Sequence, residues 1–332
     1  MGTKKEYNGN AAILDREEVD LLTEKQITVH KMGTVITLTI IHPDASRLLE
    51  QACEMINDFE RRFSANDPDS DLMEINRNAG IKPVRADHDL FELIKIGKNA
   101  GISSNGALNI AIGALVKLWR IGFSDARLPG KEEIRQRLKL INPAEIELDE
   151  EKSTVFLRKK GMEIDLGAIA KGYFADRLKE FFQANGVKTG IINLGGNVLT
   201  IGCPEKHADG YWRVGIQNPF QPRGNLLAIV FAKDESIVTS GIYERTMEVN
   251  GKIYHHIFNS KTGYPLENDI ASVTVVSDRS VDGEIWTTVL FAKYAKEGMN
   301  CLNMTGGIEG IIVTKDGDIF ISNRLKERVV ML

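Results

Sequence analysis

The second half of the chain is dominated by short β-strand patterns that do not alternate regularly with helices. From Thr154 onward, brief runs rich in β-branched residues follow one another, and turn residues separate them. Helical patterns interrupt this series at Ile169–Ala184 and at about Val281–Lys296. A doubly wound parallel sheet needs a helix after nearly every strand, so this order predicts an α+β fold of mixed short-strand sheets with flanking helices. The predicted strands are Thr154–Arg158, Met162–Asp165, Gly190–Asn193, Val198–Ile201, Trp212–Ile216, Leu226–Phe231, Ser236–Ser240, Tyr254–Phe258, Ser272–Val276, Gly310–Val313 and Ile319–Ser322.

The first half carries helical patterns beside one strong strand, Thr34–His42. Asp44 is a candidate N-cap for a helix that runs to about Arg62. Apolar residues at spacings of three or four give this helix one buried face, formed by Leu48, Ala52, Ile56, Phe59 and Phe63. A second helix is predicted at Asp89–Lys98. Residues 1–26 are polar and predict a loose arm or a solvated helix, and residues 27–325 form the predicted domain, with a weak boundary between two lobes at about 123–143.

Charge and hydropathy exclude several classes of protein. The 332 residues include 42 Lys and Arg against 46 Asp and Glu, a net charge of −4, so we expect no nucleic-acid partner. No apolar run approaches the ~20 residues of a membrane helix, so no transmembrane segment is expected. The first 20 residues lack the apolar segment of a signal peptide, which predicts a cytoplasmic location. An exported or lipid-anchored form stays open if the natural chain begins elsewhere.

The segment Glu163–Arg177 joins a predicted strand to a predicted helix. The unpaired N–H groups and positive dipole of a helix N-terminus suit a phosphate, and Lys171 would add a point charge. The glycine spacing, with Gly167 and Gly172, differs from that of the P-loop and of the dinucleotide fingerprint. An ordinary strand-to-helix turn therefore remains an alternative. The Gly-Gly pair within Asn193–Gly202 is likewise open to two interpretations, a close approach to a ligand or a hairpin turn.

Two further segments carry chemically suitable side chains. His255 and His256 are neighbours in a predicted strand and face opposite sides, so one of them can serve as a general base in a site. Surface or packing roles for both are the alternative. Glu284 and Thr288 are four residues apart on one helix face, and their oxygens suit Mg²⁺. A solvated acidic first turn of that helix explains the same residues.

Eight motifs in a fixed order resemble the ApbE family of flavin transferases, over residues 29–323. They are MGT at Met32–Thr34, FSANDPDSDL at Phe63–Leu72, GALNIAIGALVKLWRIGF at Gly106–Phe123, IDLGAIAKGY at Ile164–Tyr173, LGGN at Leu194–Asn197, VTSGIYER at Val238–Arg245, HHIFNSKTGYP at His255–Pro265 and DGEIWTT at Asp282–Thr288. The resemblance implies the flavin-transferase fold and an enzyme that transfers FMN from FAD to a Thr or Ser hydroxyl of an acceptor protein, with Mg²⁺, and releases AMP.

The resemblance also implies roles for single residues. His256 would be the base on the acceptor hydroxyl, with Asp165 the next candidate and His255 left at the surface. Mg²⁺ would be held by the Ala168 carbonyl, Glu284 and Thr288. Contacts with FAD are implied for Met32, Asn66, Ala107, Leu108, Asn109, Asp165, Lys171 and Ile257.

Several positions depart from the family pattern, among them Asn109, Ala111 and residues 259–261, and two departures bear directly on the metal and the flavin. Glu284 stands where the family usually has Asp, so its carboxylate lies one methylene further out. Asn66 stands where many members have a Tyr that would stack on the flavin. These departures keep two alternatives open: an FAD pyrophosphatase that uses water in place of the acceptor, and a flavin-binding protein without catalysis.

Overall fold

The computed structural model describes residues 23–204 and 207–332, and eight α-helices lie within these ranges. The helices are α1 Ala45–Phe63, α2 Asp71–Arg77, α3 His88–Ser103, α4 Gly113–Trp119, α5 Lys131–Leu138, α6 Ala170–Ala184, α7 Ser280–Phe291 and α8 Ala295–Met304. The strands are β1 Glu24–Lys31, β2 Thr34–Ile41, β3 Val84–Arg85, β4 Ile146–Asp149, β5 Thr154–Leu157, β6 Thr189–Leu194, β7 Asn197–Ile201, β8 Trp212–Gln217, β9 Leu226–Ala232, β10 Ser236–Gly241, β11 Thr246–Val249, β12 Lys252–His255, β13 Ile270–Ser277, β14 Ile308–Thr314, β15 Ile319–Ile321 and β16 Val329–Met331. None of the helices in the described ranges is long and apolar enough to cross a bilayer.

An eight-stranded sheet forms the centre of the protein, with the strand order β1-β2-β6-β7-β10-β13-β14-β15. Each neighbouring pair is antiparallel, which confirms the predicted α+β class. All residues of β13 and β14 are buried because both faces of this part of the sheet are covered. Val273 and Ile312 pack in the apolar cluster under α7 and α8. Val276 and Ile311 pack against the three-stranded sheet β16-β9-β8.

The helix predicted from the apolar stripe after Asp44 is α1. Its predicted face, from Leu48 to Phe63, is buried, and it packs with α6 in the largest apolar cluster. Phe59 stacks on Phe174 of α6 with ring centroids 4.3 Å apart. Asp44 precedes the helix as predicted, but its side chain makes no capping hydrogen bond and pairs with Arg47.

A close contact between α6 and α7 sets the position of both helices. A Cβ atom on Gly172 would lie 2.5 Å from the carbonyl oxygen of Ser280, so only glycine allows this approach. Asp176 of α6 accepts hydrogen bonds from the backbone N–H groups of Ser280 (2.7 Å) and Val281 (3.0 Å). The buried carboxylate thus caps the N-terminus of α7 from a neighbouring helix.

The loop after β12 is anchored to α4 and α5 by an apolar cluster. The Trp119 ring lies against Phe258 and Tyr264, and its Nε1–H donates to the Gly263 carbonyl (2.9 Å). Ile134 of α5 belongs to the same cluster. The stretch 123–143, which includes α5, therefore contacts the loop that carries the HHIFNSKTGYP motif.

Several element boundaries differ from the predictions. β1 begins at Glu24, so residues 24–26 are strand rather than arm. Thr23 is the one further residue of the predicted arm that the structure describes, and residues 1–22 lie outside the described part. The predicted strand Met162–Asp165 is reduced to a single bridge between Ile112 and Glu163.

The helix predicted at Val281–Lys296 is two helices, α7 and α8. The side-chain amide of Asn268 donates to the Phe291 and Lys293 carbonyls (2.5 and 3.1 Å), which ends α7. Asp269 Oδ1 accepts from the Ala295 N–H (2.9 Å), which starts α8. The predicted strand Tyr254–Phe258 ends earlier, at His255.

We expect Gly172→Ala to lower the free energy of unfolding by about 1–3 kcal/mol, because the added methyl group would overlap the Ser280 carbonyl. Urea unfolding followed by circular dichroism would measure the change. Gly306→Ala is the matched control, because nothing lies within 4 Å of its added Cβ and a change within about 0.5 kcal/mol is expected. Equal stability of both variants would show that the α6–α7 contact tolerates a wider spacing.

Candidate active site

The turn that precedes α6 brings a carboxylate and open backbone groups to one place. The Asp165 backbone N–H donates to the Ile110 carbonyl (2.8 Å), and Asp165 Oδ1 accepts from the Gly167 N–H (2.8 Å). Burial raises the pKa of Asp165, although the Gly167 N–H and the positive charge of Arg245 oppose this. Ala168 is exposed in the turn, one residue before the hydrogen-bond ladder of α6 begins at the Ile169 carbonyl.

Glu284 is a buried carboxylate on α7, 5% exposed, that faces the first turn of α6. Its Oε1 accepts from Asn197 Nδ2 (2.9 Å) and lies 3.8 Å from Lys171 Nζ. No hydrogen bond from the described residues reaches Oε2. Thr288 Oγ1 donates its proton to the Glu284 carbonyl (3.1 Å), which leaves the lone pairs of the hydroxyl available.

These oxygens fit a cation that takes much of its coordination from substrate and water. No cluster of three or more His, Cys, Asp or Glu side chains in the described ranges could hold a metal by itself. Mg²⁺ is usually bound by one or two carboxylates together with substrate phosphates. Glu284 Oε2 and the Thr288 hydroxyl are hard oxygen ligands of that kind, and the exposed Ala168 turn begins the helix that faces them.

His256 is held in one tautomer next to positive charge. It lies after the end of β12, is half-buried, and its Nδ1 faces the Arg245 carbonyl at 3.3 Å. A carbonyl can only accept, so Nδ1 carries the proton and Nε2 keeps its lone pair. Burial of the ring and the charge of Arg245 lower the pKa of His256 to about 4, and Lys171 acts in the same direction.

The sequence predicted His255 at the surface, but the structure buries it. Its Nε2–H donates to the Leu266 carbonyl (2.9 Å), and its Nδ1 accepts from the Ile257 N–H (3.3 Å). The ring therefore joins the two ends of the loop that carries His256. The predicted strand that contains both histidines ends at His255, and His255 has a structural contact that the sequence did not reveal.

Arg245 is a member of the site that sequence reasoning missed. Its backbone carbonyl orients His256, and its charge contributes to the lowered pKa of His256 and opposes the rise in the pKa of Asp165. A Cβ atom on Gly122 would lie 3.0 Å from Arg245 Cδ, so the arginine stem packs over a glycine. The signal for Arg245 was its place in the VTSGIYER motif, which by itself gave it no role.

The stretch Ala107–Asn109 contacts the loop of His256. The side-chain amide of Asn109 donates to the Ile141 carbonyl (2.7 Å) and to Ser260 Oγ (3.4 Å), and its Oδ1 accepts from the Ala111 N–H (2.9 Å). Leu108 is fully buried. Asn109 and Leu108 thus have internal partners, and Ala107 is half-buried beside them.

Met32 and Asn66 lie beside α1 and the loop that follows it. Met32 has a positive φ of 51° in the turn between β1 and β2, and its N–H donates to Glu60 Oε1 (2.7 Å). Asn66 is exposed in the loop after α1, where its N–H donates to Ser64 Oγ (3.2 Å). Within the described residues, no hydrogen bond or ion pair joins the Asn66 side chain to the other predicted site residues.

Five residues from distant parts of the chain thus form one group, which we call the site cluster: Asp165, Lys171, Arg245, His256 and Glu284. Two permanent cations and a helix N-terminus can bind phosphate groups. A neutral histidine can accept a proton beside them. The arrangement can therefore support the transfer of a phosphorylated group to a hydroxyl.

Comparison with known proteins agrees with this chemistry. The ApbE family model matches residues 32–312. An FAD:protein FMN transferase of Klebsiella pneumoniae is 42% identical over 292 residues, 88% of this chain and 90% of that protein. An FAD:protein FMN transferase of Treponema pallidum is 33% identical over 297 residues, 86% of this chain and 82% of that protein. The crystal structure of the ApbE protein of Thermotoga maritima has a TM-score of 0.83 at 28% identity and covers 92% of this chain and 99% of its own.

We expect the His256 imidazole to be neutral at pH 6, with the proton on Nδ1 and a titration midpoint near the pKa of about 4. Nitrogen-15 NMR of the histidine rings would measure both, with His256→Gln used for assignment. Arg245→Gln should raise the midpoint because it removes a positive charge, whereas Arg245→Lys should raise it less. A wild-type midpoint near 6.5 would contradict the buried, positively charged setting.

Proposed function

The chain belongs to the ApbE family, and on this basis we propose that it transfers FMN from FAD to a hydroxyl group of an acceptor protein and releases AMP. The observation that carries this function is the His256 ring, whose tautomer is fixed by the Arg245 carbonyl and which lies within reach of the charges of Lys171 and Arg245. A proton acceptor beside a phosphate-binding helix start is what the transfer of a phosphoryl-linked group to an alcohol requires.

His256 takes the proton of the acceptor Thr or Ser in this proposal. The lone pair on Nε2 accepts the proton while the hydroxyl oxygen forms a bond to the phosphorus of the FMN moiety. The bond from that phosphorus to the bridging oxygen breaks, and AMP leaves with the electron pair. The depressed pKa keeps the ring neutral, and thus able to accept, throughout the neutral range.

The diphosphate of FAD is bound, we propose, at the start of α6. Lys171 and Arg245 supply positive charge, and the start of α6 adds the positive end of the helix dipole, while the Gly167 N–H in the preceding turn is donated to Asp165 Oδ1. Asp165 holds that turn through Gly167, and Ile257 follows the base directly in the loop. The remaining proposed FAD contacts are Met32, Asn66, Ala107, Leu108 and Asn109. Because the side chains of Leu108 and Asn109 have internal partners, we propose that their stretch contacts FAD through its backbone.

The proposed Mg²⁺ ligands are Glu284, Thr288 and the Ala168 carbonyl. When bound there, the cation would neutralise charge on the diphosphate. The chain's own contribution is to keep a carboxylate oxygen and a hydroxyl lone pair available in a largely dry place.

Measurement of AMP with and without an acceptor protein separates transfer from its alternatives. AMP that appears with flavinylated acceptor, and not without it, supports the transferase. AMP without acceptor would support hydrolysis of FAD, and the absence of AMP in both reactions would support binding without catalysis. Mass spectrometry of the acceptor identifies the flavinylated hydroxyl.

We expect His256→Ala to reduce acceptor flavinylation by about 10²–10⁴-fold, because a general base is lost. FAD binding, measured by flavin fluorescence, should remain. His30→Ala is the matched control, since His30 is exposed on β1 and its loss should leave the rate unchanged. In the wild type the rate should fall only as the pH approaches about 4, where His256 gains its proton. A fully active His256→Ala variant would move the role of base to Asp165.

We expect Thr288→Val to raise the Mg²⁺ concentration for half-maximal activity by at least about 10-fold, since even indirect partners of metal ligands contribute about 10–100-fold. Thr305→Val is the matched control, because Thr305 makes the same hydrogen bond to the carbonyl four residues before it, on α8. EDTA should abolish the wild-type activity. Unchanged activity in EDTA would show that the reaction needs no divalent cation.

A further inference from the structure

Resting on the proposed function, we propose that Asn197 is a positioning residue that holds Glu284 ready for the metal ion. Asn197 is 2% exposed and lies at the start of β7, directly after the Gly195–Gly196 turn. Its Nδ2 donates to Glu284 Oε1 at 2.9 Å, across 87 positions of sequence. It directs one carboxylate oxygen into the protein and leaves the other for coordination.

The amide of Asn197 is itself fixed on its other side. Ser280 Oγ donates to Asn197 Oδ1 (2.7 Å), and the Ser280 N–H donates to Asp176 Oδ1 (2.7 Å). The Ser280 hydroxyl and the Glu284 carboxylate together determine the orientation of the amide, because Nδ2 must face the carboxylate. A continuous chain of buried hydrogen bonds therefore runs from Asp176 on α6, through Ser280 and Asn197, to Glu284 on α7.

The turn before Asn197 leaves little freedom for this contact. Gly195 and Gly196 have positive φ values of 68° and 99°, and Leu194 pairs with Asn197 across the turn. A Cβ atom on Gly195 would lie 2.0 Å from Thr34 Oγ1. The two-residue turn is thus pressed against β2, and the next residue in the chain presents its amide to Glu284.

A long carboxylate needs such a partner more than a short one. Glu has one more rotatable bond than Asp, so the position of its oxygens is less determined by the helix alone. The neutral amide satisfies Oε1 without adding charge. Lys171 Nζ forms an ion pair with the same oxygen at 3.8 Å, so both partners of the carboxylate are on Oε1 and Oε2 is left for coordination. The hydrogen bond from Asn197 thereby restricts where the Glu284 carboxylate can lie.

The test is titration of Mn²⁺, followed by electron paramagnetic resonance, into the FAD-loaded protein without acceptor. We expect Asn197→Ala to weaken Mn²⁺ binding by about 10–100-fold, as for other partners of metal ligands. FAD affinity in EDTA should change by less than twofold, and the activity of Asn197→Ala should recover at high Mg²⁺. In a Glu284→Gln background, Asn197→Ala should have no further effect on Mn²⁺ binding.

Asn268→Ala is the matched control, because Asn268 also donates its amide to buried acceptors but at the far end of α7. It should lower thermal stability and leave Mn²⁺ affinity unchanged. If Asn197→Ala does not fold, Ser280→Ala frees the other side of the same amide and should weaken Mn²⁺ binding by about 2–10-fold. Wild-type Mn²⁺ affinity in folded Asn197→Ala or in Ser280→Ala would overturn the role of Asn197. A wild-type protein that binds no Mn²⁺ would overturn the metal site itself, and this inference with it.

Discussion

The close contact between α6 and α7 is the constraint on which the site depends. Gly172 lets the backbones approach, and Asp176 caps α7 from α6. Ala168 lies one helical turn before Gly172, and Glu284 lies one helical turn after the start of α7 that Asp176 caps. A single helix–helix contact therefore brings the proposed phosphate-binding start of α6 to the proposed metal ligand Glu284, although 116 positions separate Ala168 from Glu284 in the sequence.

A second, independent set of contacts positions His256. The loop of His256 is joined at its two ends by the His255 ring and is held against α4 by Trp119. The Arg245 carbonyl then selects the tautomer of His256. None of these contacts involves α6 or α7, so the proposed base and the proposed metal ligands are held by separate parts of the core and meet only in the site cluster.

Sequence patterns predicted what depends on local periodicity and missed what depends on distant partners. The apolar stripe of α1 and most central strands are regular enough to be predicted. β1 was missed because only Ile27 and Val29 of its eight residues are apolar, too short an alternation to identify an edge strand that pairing with β2 holds in place. The break between α7 and α8 is set by Asn268 and Asp269, two residues outside either helix. Arg245 and Asn197 belong to two of the eight motifs, but their roles depend on contacts with residues that are distant in the sequence.

Two buried carboxylates show how the surroundings separate a structural role from a chemical one. Asp176 accepts two backbone N–H groups at the start of α7, so both of its oxygens are used. Burial raises the pKa of Asp176, and these two hydrogen bonds oppose the increase, which makes the group a fixed cap. Glu284 lies one helical turn further along α7 and accepts one amide hydrogen bond, and its Oε2 has no hydrogen-bond partner among the described residues. Glu284 Oε2 is not among the fully buried oxygens that lack a partner, so this oxygen is accessible to a ligand that brings positive charge.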